Sequence, residues 1–278
     1  MGEPALSTPE PLNSATSPGG RHAVPIMTYH SLDGSGSVLS TVPSAFREQM
    51  SSLARRGFVG IGLGRLLEGW AGRATLPERP VVLTFDDGYR NFLEHAWPTL
   101  EELRFGATIF VVAGLCGKTN DWPNQAPDIP RLPLLGWDEL ASLSGAGFEI
   151  GSHTLSHPRL TRTPLPDARR EIVDSKKELE DRLGKPVETF AYPFGLTDAA
   201  SVEIARAHYR GACSTAMGVA RRDDDLHLLP RIDAYYLRGR LAFRLFETIP
   251  GRAYLGFRAI GRSTRAVLTR YGILPSPY

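Results

Sequence analysis

Pro80-Val81-Val82-Leu83-Thr84-Phe85-Asp86-Asp87-Gly88 is the stretch from which the rest of the chain can be read. Its apolar, β-branched half predicts a buried strand, and that strand ends in two adjacent carboxylates. Placed together out of water, the two acids repel each other and lose hydration, which serves little unless a cation or a proton transfer uses them. Neighbouring residues of an extended chain point to opposite sides, so the two acids are set different tasks. Gly88 permits a sharp turn directly after them. Taken alone, Asp-Asp-Gly also fits a turn that caps the following helix.

On either side of this stretch the same kind of strand recurs. Apolar runs predict strands over 24–29 (ending at His30), 107–112, 148–152 (ending at His153), 189–192 (stopped by Pro193), 211–215 and 228–232. With 80–86 that makes seven strands. Helical spacing fills most intervals: 46–57, 63–71, 89–105 with a new segment at Pro98, 137–145, 167–183 ended by Gly184, and 198–208. The Pro- and Asn-rich interval 114–135 is too long for a plain connection and predicts the border of a site. Alternating β and α units imply a parallel sheet, doubly wound or closed as a barrel. His30, Asp86, His153 and the 192–194 turn all fall at the C-terminal ends of different strands. A barrel gathers such ends on one face, whereas an open sheet uses fewer of them. The expected class is therefore α/β, a distorted (β/α) barrel with about seven parallel strands.

The chain has 278 residues, 42% hydrophobic and 22% charged, as in a globular protein with a substantial core. A net charge of +2 points to no nucleic-acid partner. Cys116 and Cys213 are too few for a disulfide framework. Residues 1–23, rich in Pro, Ser, Thr and Gly, predict a disordered leader; 24–237 hold the patterned domain. Residues 238–278 form a basic tail with eight arginines against Glu247. The tail fits either a helix packed on the barrel with a basic outer face or a helix lying on an anionic membrane surface. Neither a secretory signal nor a membrane-spanning run is visible, so the expected location is the cytoplasm or its membrane surface.

His153-Thr154-Leu155-Ser156-His157 has the i, i+4 spacing that puts two imidazoles on one side of a helical turn, although two surface histidines would show the same spacing. Together with Asp87 they offer two nitrogens and one carboxylate oxygen. Three protein ligands with an open position are the donor set of a catalytic divalent metal. The same set suits the Fe(II) of a non-haem oxygenase, against which the α/β pattern and the adjacent Asp pair argue.

Three segments in order carry a resemblance: Thr84-Phe85-Asp86-Asp87-Gly88, Ser152-His153-Thr154-Leu155-Ser156-His157-Pro158 and Tyr192-Pro193-Phe194-Gly195. With Met27-Thr28-Tyr29-His30 and Glu149-Ile150-Gly151 they resemble the polysaccharide deacetylases, the NodB-homology group or carbohydrate esterase family four, over about 24–234. The resemblance implies a distorted β/α barrel that uses a divalent metal to remove acetyl groups from N-acetylglucosamine-type oligo- or polysaccharides. Zinc is the expected ion, with Co2+, Ni2+ or Fe2+ as alternatives. Asp87, His153 and His157 resemble the metal ligands, and Asp86 the base that deprotonates the attacking water. The backbone N–H of Phe194 resembles the oxyanion donor, since Pro193 has none to offer.

Two departures stand out. Many relatives carry an arginine at the position of Ala191 to orient the base, and Arg231 is the expected replacement. Many also carry a late Leu-x-His that supplies the general acid; Leu226-His227 lacks that spacing, so His30 is expected to take the role. Tyr192 and Trp137, with Trp122, are candidates to stack on sugar faces, although aromatics at such positions equally fit the core or the wall. Alternatives within the same scaffold are an O-acetyl (xylan-type) esterase or another C–N amide hydrolase. A non-catalytic carbohydrate-binding protein is the alternative of another class, and the filled ligand and base positions argue against it.

Overall fold

The computed structural model describes residues 23–123, 125–246 and 248. The expected leader up to residue 22 and the basic tail from 249 onward lie outside the described residues. In chain order the elements are β1 (Ala23–Val24), β2 (Ile26–Tyr29), α1 (Pro43–Arg55), β3 (Val59–Ile61), α2 (Leu63–Trp70), β4 (Pro80–Phe85), α3 (Phe92–His95), α4 (Trp97–Leu103), β5 (Thr108–Val111), α5 (Trp137–Gly145), β6 (Glu149–Ser152), α6 (Leu165–Leu183), β7 (Thr189–Ala191), α7 (Ala199–His208), β8 (Gly211–Met217), β9 (Ala220–Arg221), β10 (Leu229–Asp233) and α8 (Arg240–Leu245). No helix among the described residues is long and apolar enough to cross a membrane.

Seven parallel strands run β2-β10-β8-β7-β6-β5-β4 and close on themselves through β4 and β2. These are the seven strands that the apolar runs predict. Strand β3 was not anticipated: its three residues, Val-Gly-Ile, are too short to show a period, and it borders Pro80–Val82 of β4. Ala23, assigned by its composition to the leader, instead pairs with Arg221 in a small antiparallel ribbon outside the barrel. The predicted 89–105 helix is split into α3 and α4, because Pro98 opens a new first turn.

Alternation along β4 sorts its side chains into two layers. Val81, Leu83 and Phe85 point outward into the main core beneath the helices, while Val82 joins the interior cluster. Behind β4, Phe85 contacts Tyr29, Phe46 and Phe92 with ring centroids 5.5, 5.8 and 4.7 Å apart. Such pairs each add about 0.5–1.5 kcal/mol beyond their buried area and fix the strand that carries the two acids. The register Tyr29↔Phe85 then places His30 beside Asp86, whose amide donates to the Tyr29 carbonyl at 2.9 Å.

The interior does not run through as a channel. Leu63, Leu66, Leu67 and Trp70 of α2 pack with Ile26, Val82, Phe110, Ala191, Cys213 and Leu229 from the barrel strands. The Leu67 side chain reaches the first residue of β8, Gly211, so α2 stoppers the N-terminal mouth. Glu149, at the start of β6, holds this stopper by accepting from the amides of Gly64 and Arg65 and from the Thr108 hydroxyl, at 2.7, 2.9 and 2.7 Å.

Gly151 sits where β6 crosses this packed interior. A Cβ there would fall 2.5 Å from the Phe110 ring and 2.8 Å from Thr189 Oγ1. Overpacking of this kind costs about 1–3 kcal/mol. Gly151→Ala is expected to lower the unfolding free energy by that amount, read as a fall in the urea midpoint, and an unchanged midpoint would contradict the packing described.

Candidate active site

At the C-terminal mouth the first acid turns inward. Asp86 receives Nη1 of Arg231 on Oδ1 and Nη2 on Oδ2, both at 2.7 Å, a bidentate pairing with both side chains buried. Arg231 comes from the middle of β10, where its Nε donates to the Ser214 carbonyl at 3.0 Å and its Nη1 also reaches Thr84 Oγ1 at 3.3 Å. Burial by itself would raise the Asp86 pKa, but the Arg231 charge and hydrogen bonds, together with the nearby His153 and His30, outweigh it and hold the carboxyl below its ordinary value. Asp86 is therefore an ionised carboxylate at neutral pH. His30 lies next to it, with Nε2 3.9 Å from Asp86 Oδ2 and 19% of its side chain exposed.

The second acid turns away because its backbone does. Asp87 adopts φ 71° and Gly88 φ 73°, so the chain reverses in the left-handed region directly after the strand. The Asp87 carboxylate then meets His153 Nε2 at 3.4 Å and His157 Nε2 at 3.3 Å. The 153–157 segment is not the helical turn that its spacing suggests. Thr154 (φ 70°) and His157 (φ 58°) are left-handed, and the two imidazoles converge because the loop doubles back. Glu171 of α6 pins this loop, accepting from the amides of Leu155 and Ser156 at 2.9 Å each.

Asp87, His153 and His157 could hold a metal ion, with one atom from each lying within 4.8 Å of the others. The chemistry of the donor set fits a cation better than a proton. His153 Nδ1 lies 2.7 Å from the Ala191 carbonyl, which can only accept, so Nδ1 carries the hydrogen and Nε2 turns a lone pair toward Asp87. The separations of 3.3 and 3.4 Å exceed those of charge-assisted hydrogen bonds. They match the roughly 3.3 Å between ligand atoms in a tetrahedral site with bonds of about 2.0–2.1 Å. Burial pushes the His157 pKa down, against the pull of Asp87, and so favours the neutral, ligating ring.

His157 is oriented differently from His153. Its buried Nδ1 has no hydrogen-bond partner among the described residues, and its ring is instead held between Trp122, with centroids 4.3 Å apart, and Phe194, at 4.6 Å. Trp122 belongs to the long 114–135 loop, which is tied to the Asp87 turn through Leu135 N–H to the Gly88 carbonyl and Arg90 N–H to the Pro133 carbonyl, at 2.8 and 2.9 Å. Within the loop, Asn120 donates to the Tyr89 hydroxyl at 3.0 Å. The loop thus borders the site, as its length and composition predict.

The remaining expected residues divide. Phe194 follows β7 at the same mouth with φ 56°, in a short turn opened by Pro193. Tyr192 is a correction: it is 0% exposed, its hydroxyl donates to the His227 carbonyl at 3.0 Å, and it packs on Phe190, so no sugar can stack on it. Trp137 is partly buried against the main core, with the Arg182 guanidinium 5.3 Å over its ring. Trp122 is likewise buried, against His157 rather than against a ligand. An aromatic that sequence reasoning passed over is Tyr235, exposed just beyond the C-terminal end of β10. Its place at the barrel mouth was signalled only by its following the last strand.

The polysaccharide deacetylase family profile matches residues 73–210. The poly-β-1,6-N-acetyl-D-glucosamine N-deacetylase of Escherichia coli K12 is 30% identical over 119 residues, covering 42% of this chain and 18% of that enzyme. A polysaccharide deacetylase from Bacillus cereus superposes with a TM-score of 0.61 at 26% identity, over 76% of this chain and 64% of its own. The Streptococcus pyogenes deacetylase PplD, solved in complex with acetate, shares the fold with a TM-score of 0.67 at 24% identity, over 76% and 92%.

Elemental analysis of purified protein is expected to find about one divalent cation per chain, and His153→Ala to lose it. Trp122→Ala should weaken metal affinity by about tenfold or more, because groups that orient a ligand matter nearly as much as the ligand itself. Equal metal content in wild type and His153→Ala would remove the ligand assignment.

Proposed function

The chain belongs to the polysaccharide deacetylase family, and on that premise we propose that it releases acetate from N-acetylglucosamine-type oligo- or polysaccharides. It is a hydrolase of carbon–nitrogen bonds other than peptide bonds. The observation that carries the substrate proposal is the pairing of two differently set acids at one mouth: Asp86 fixed and ionised by Arg231, and Asp87 turned to the two histidines. The poly-β-1,6-N-acetyl-D-glucosamine N-deacetylase activity of the Escherichia coli relative supports the choice of sugar.

When bound by Asp87, His153 and His157, a divalent cation, with zinc our first choice, would polarise the acetyl carbonyl and lower the pKa of a nearby water. Asp86 takes the proton from the attacking water, and its two hydrogen bonds to Arg231 keep the carboxylate both ionised and aimed. Arg231 is a positioning residue here, acting through Asp86. The amide of Phe194 donates to the oxygen on which charge develops, from the left-handed turn (φ 56°) that follows Pro193. His30, at the rim of the same pocket, gives a proton to the leaving amine.

Asp86→Asn should retain the metal and the fold while activity falls by a factor on the order of 10² or more. Loss of the metal along with activity would instead make Asp86 a ligand. Arg231→Met removes the cation that lowers the Asp86 pKa, so the acidic limb of the pH–rate profile is expected to move to higher pH besides slowing the reaction. A slower enzyme with an unmoved limb would assign Arg231 to packing alone. The role of His30 is read from two substrates. An amide needs its nitrogen protonated to leave, whereas an aryl acetate does not, so His30→Gln should damage amide cleavage far more than aryl-ester cleavage. Equal slowing of both would remove His30 as the acid.

A further inference from the structure

Beside the ligand histidine lies a cavity of about 180 Å³ lined by Pro123, Ser156, Pro158, Arg159, Arg162 and Thr163. Ser156 and Pro158 are the chain neighbours of His157, and Pro123 follows the Trp122 that stacks on it. One water needs about 10–15 Å³, so this space admits a substituent of several heavy atoms.

Arg159 is the unusual member of that lining. It is only 8% exposed, its Nε is buried with no hydrogen-bond partner, and its guanidinium lies 5.5 Å over the Phe194 ring. A guanidinium cannot shed its charge, and a buried unpaired one is costly. Neither Arg159 nor the exposed Arg162 makes an ion pair among the described residues. Glu171, the acid that grips the neighbouring 154–156 loop, is committed to the amides of Leu155 and Ser156 and to the Ser156 hydroxyl. Two cations thus converge on a cavity that holds no counter-charge, one of them kept rigid against the residue expected to donate to the oxyanion. The planar fork of arginine matches a carboxylate or a phosphate in two parallel hydrogen bonds.

We propose that this cavity is a subsite for an anionic substituent of the glycan, a phosphate or a carboxylate carried near the acetamido group being cleaved. The inference rests on the deacetylase reading and narrows its substrate class to acidic N-acetylated glycans. The substituent would dock on Arg159 and Arg162 while the acetamido carbon lies at the Asp86 side of the mouth.

The test uses the full, metal-loaded chain and three soluble tetramers of N-acetylglucosamine: neutral, carrying one phosphate, and carrying one uronic acid in place of a sugar. Acetate release and equilibrium binding are measured for each. At least one acidic tetramer is expected to exceed the neutral one by about ten- to a hundredfold in kcat/KM, mainly through KM, and in binding constant. Which acidic tetramer shows the gain decides between phosphate and carboxylate. In Arg159→Gln and, separately, Arg162→Gln, the ratio of acidic to neutral substrate is expected to collapse toward unity. The Arg162 variant carries the test if the buried Arg159 variant does not fold. Equal kcat/KM and binding for all three tetramers would overturn the proposal, as would a preference that survives both substitutions. If no tetramer releases acetate but the arginine-dependent binding difference persists, the subsite stands and the deacetylase reading falls.

Discussion

A carboxylate and a guanidinium are buried face to face across the mouth of the barrel, and the arrangement there follows from that constraint. Asp86 and Arg231 come from strands on either side of β2, 145 residues apart in the chain. Stripped of water, either charge alone would be expensive, and removing one partner of such a pair costs about 3–5 kcal/mol. The pair is therefore well satisfied: both carboxylate oxygens accept from the guanidinium, and two further Arg231 donors are directed to Ser214 and Thr84. A lysine could not satisfy this geometry, because a point charge lacks the fork. The seam β4-β2-β10 that closes the barrel is the seam this ion pair spans.

With Asp86 committed, its neighbour has to be disposed of otherwise, and the backbone does it. Of the five non-glycine residues with positive φ among the described residues, four lie at this mouth: Asp87, Thr154, His157 and Phe194. Strained backbone of this kind persists only where its surroundings over-determine it. Here the surroundings are visible: the stack of Trp122 on His157, the bond from His153 to Ala191 and the grip of Glu171 on the 154–156 loop. The two adjacent acids, which would repel each other if aligned, end up facing opposite partners.

Much of this was legible in the sequence, for physical reasons that differ from residue to residue. The seven barrel strands announce themselves as short apolar runs because both of their faces are buried. The meeting of Asp87, His153 and His157 is legible because a candidate metal donor set is a matter of residue type. The loop conformation at His153–His157 was not, since an i, i+4 spacing reads as helical whenever the left-handed turns at Thr154 and His157 are unseen. Tyr192 misled for a similar reason: it adjoins the Pro193-Phe194 turn, but strand alternation sends its ring into the core, where its hydroxyl needs the His227 carbonyl. Arg159 was invisible because nothing in a single arginine codon position reveals that its guanidinium will be buried over a phenylalanine ring.

The helix that stoppers the N-terminal mouth has a consequence for how a long polymer can be handled. With Leu63, Leu66, Leu67 and Trp70 filling one end of the barrel and strand side chains packed upon them, the interior is no tunnel. A glycan strand cannot be threaded through it and ratcheted forward. On the proposed reaction, the strand would lie across the C-terminal mouth with one acetamido group presented to it, and acetate would leave from the same side.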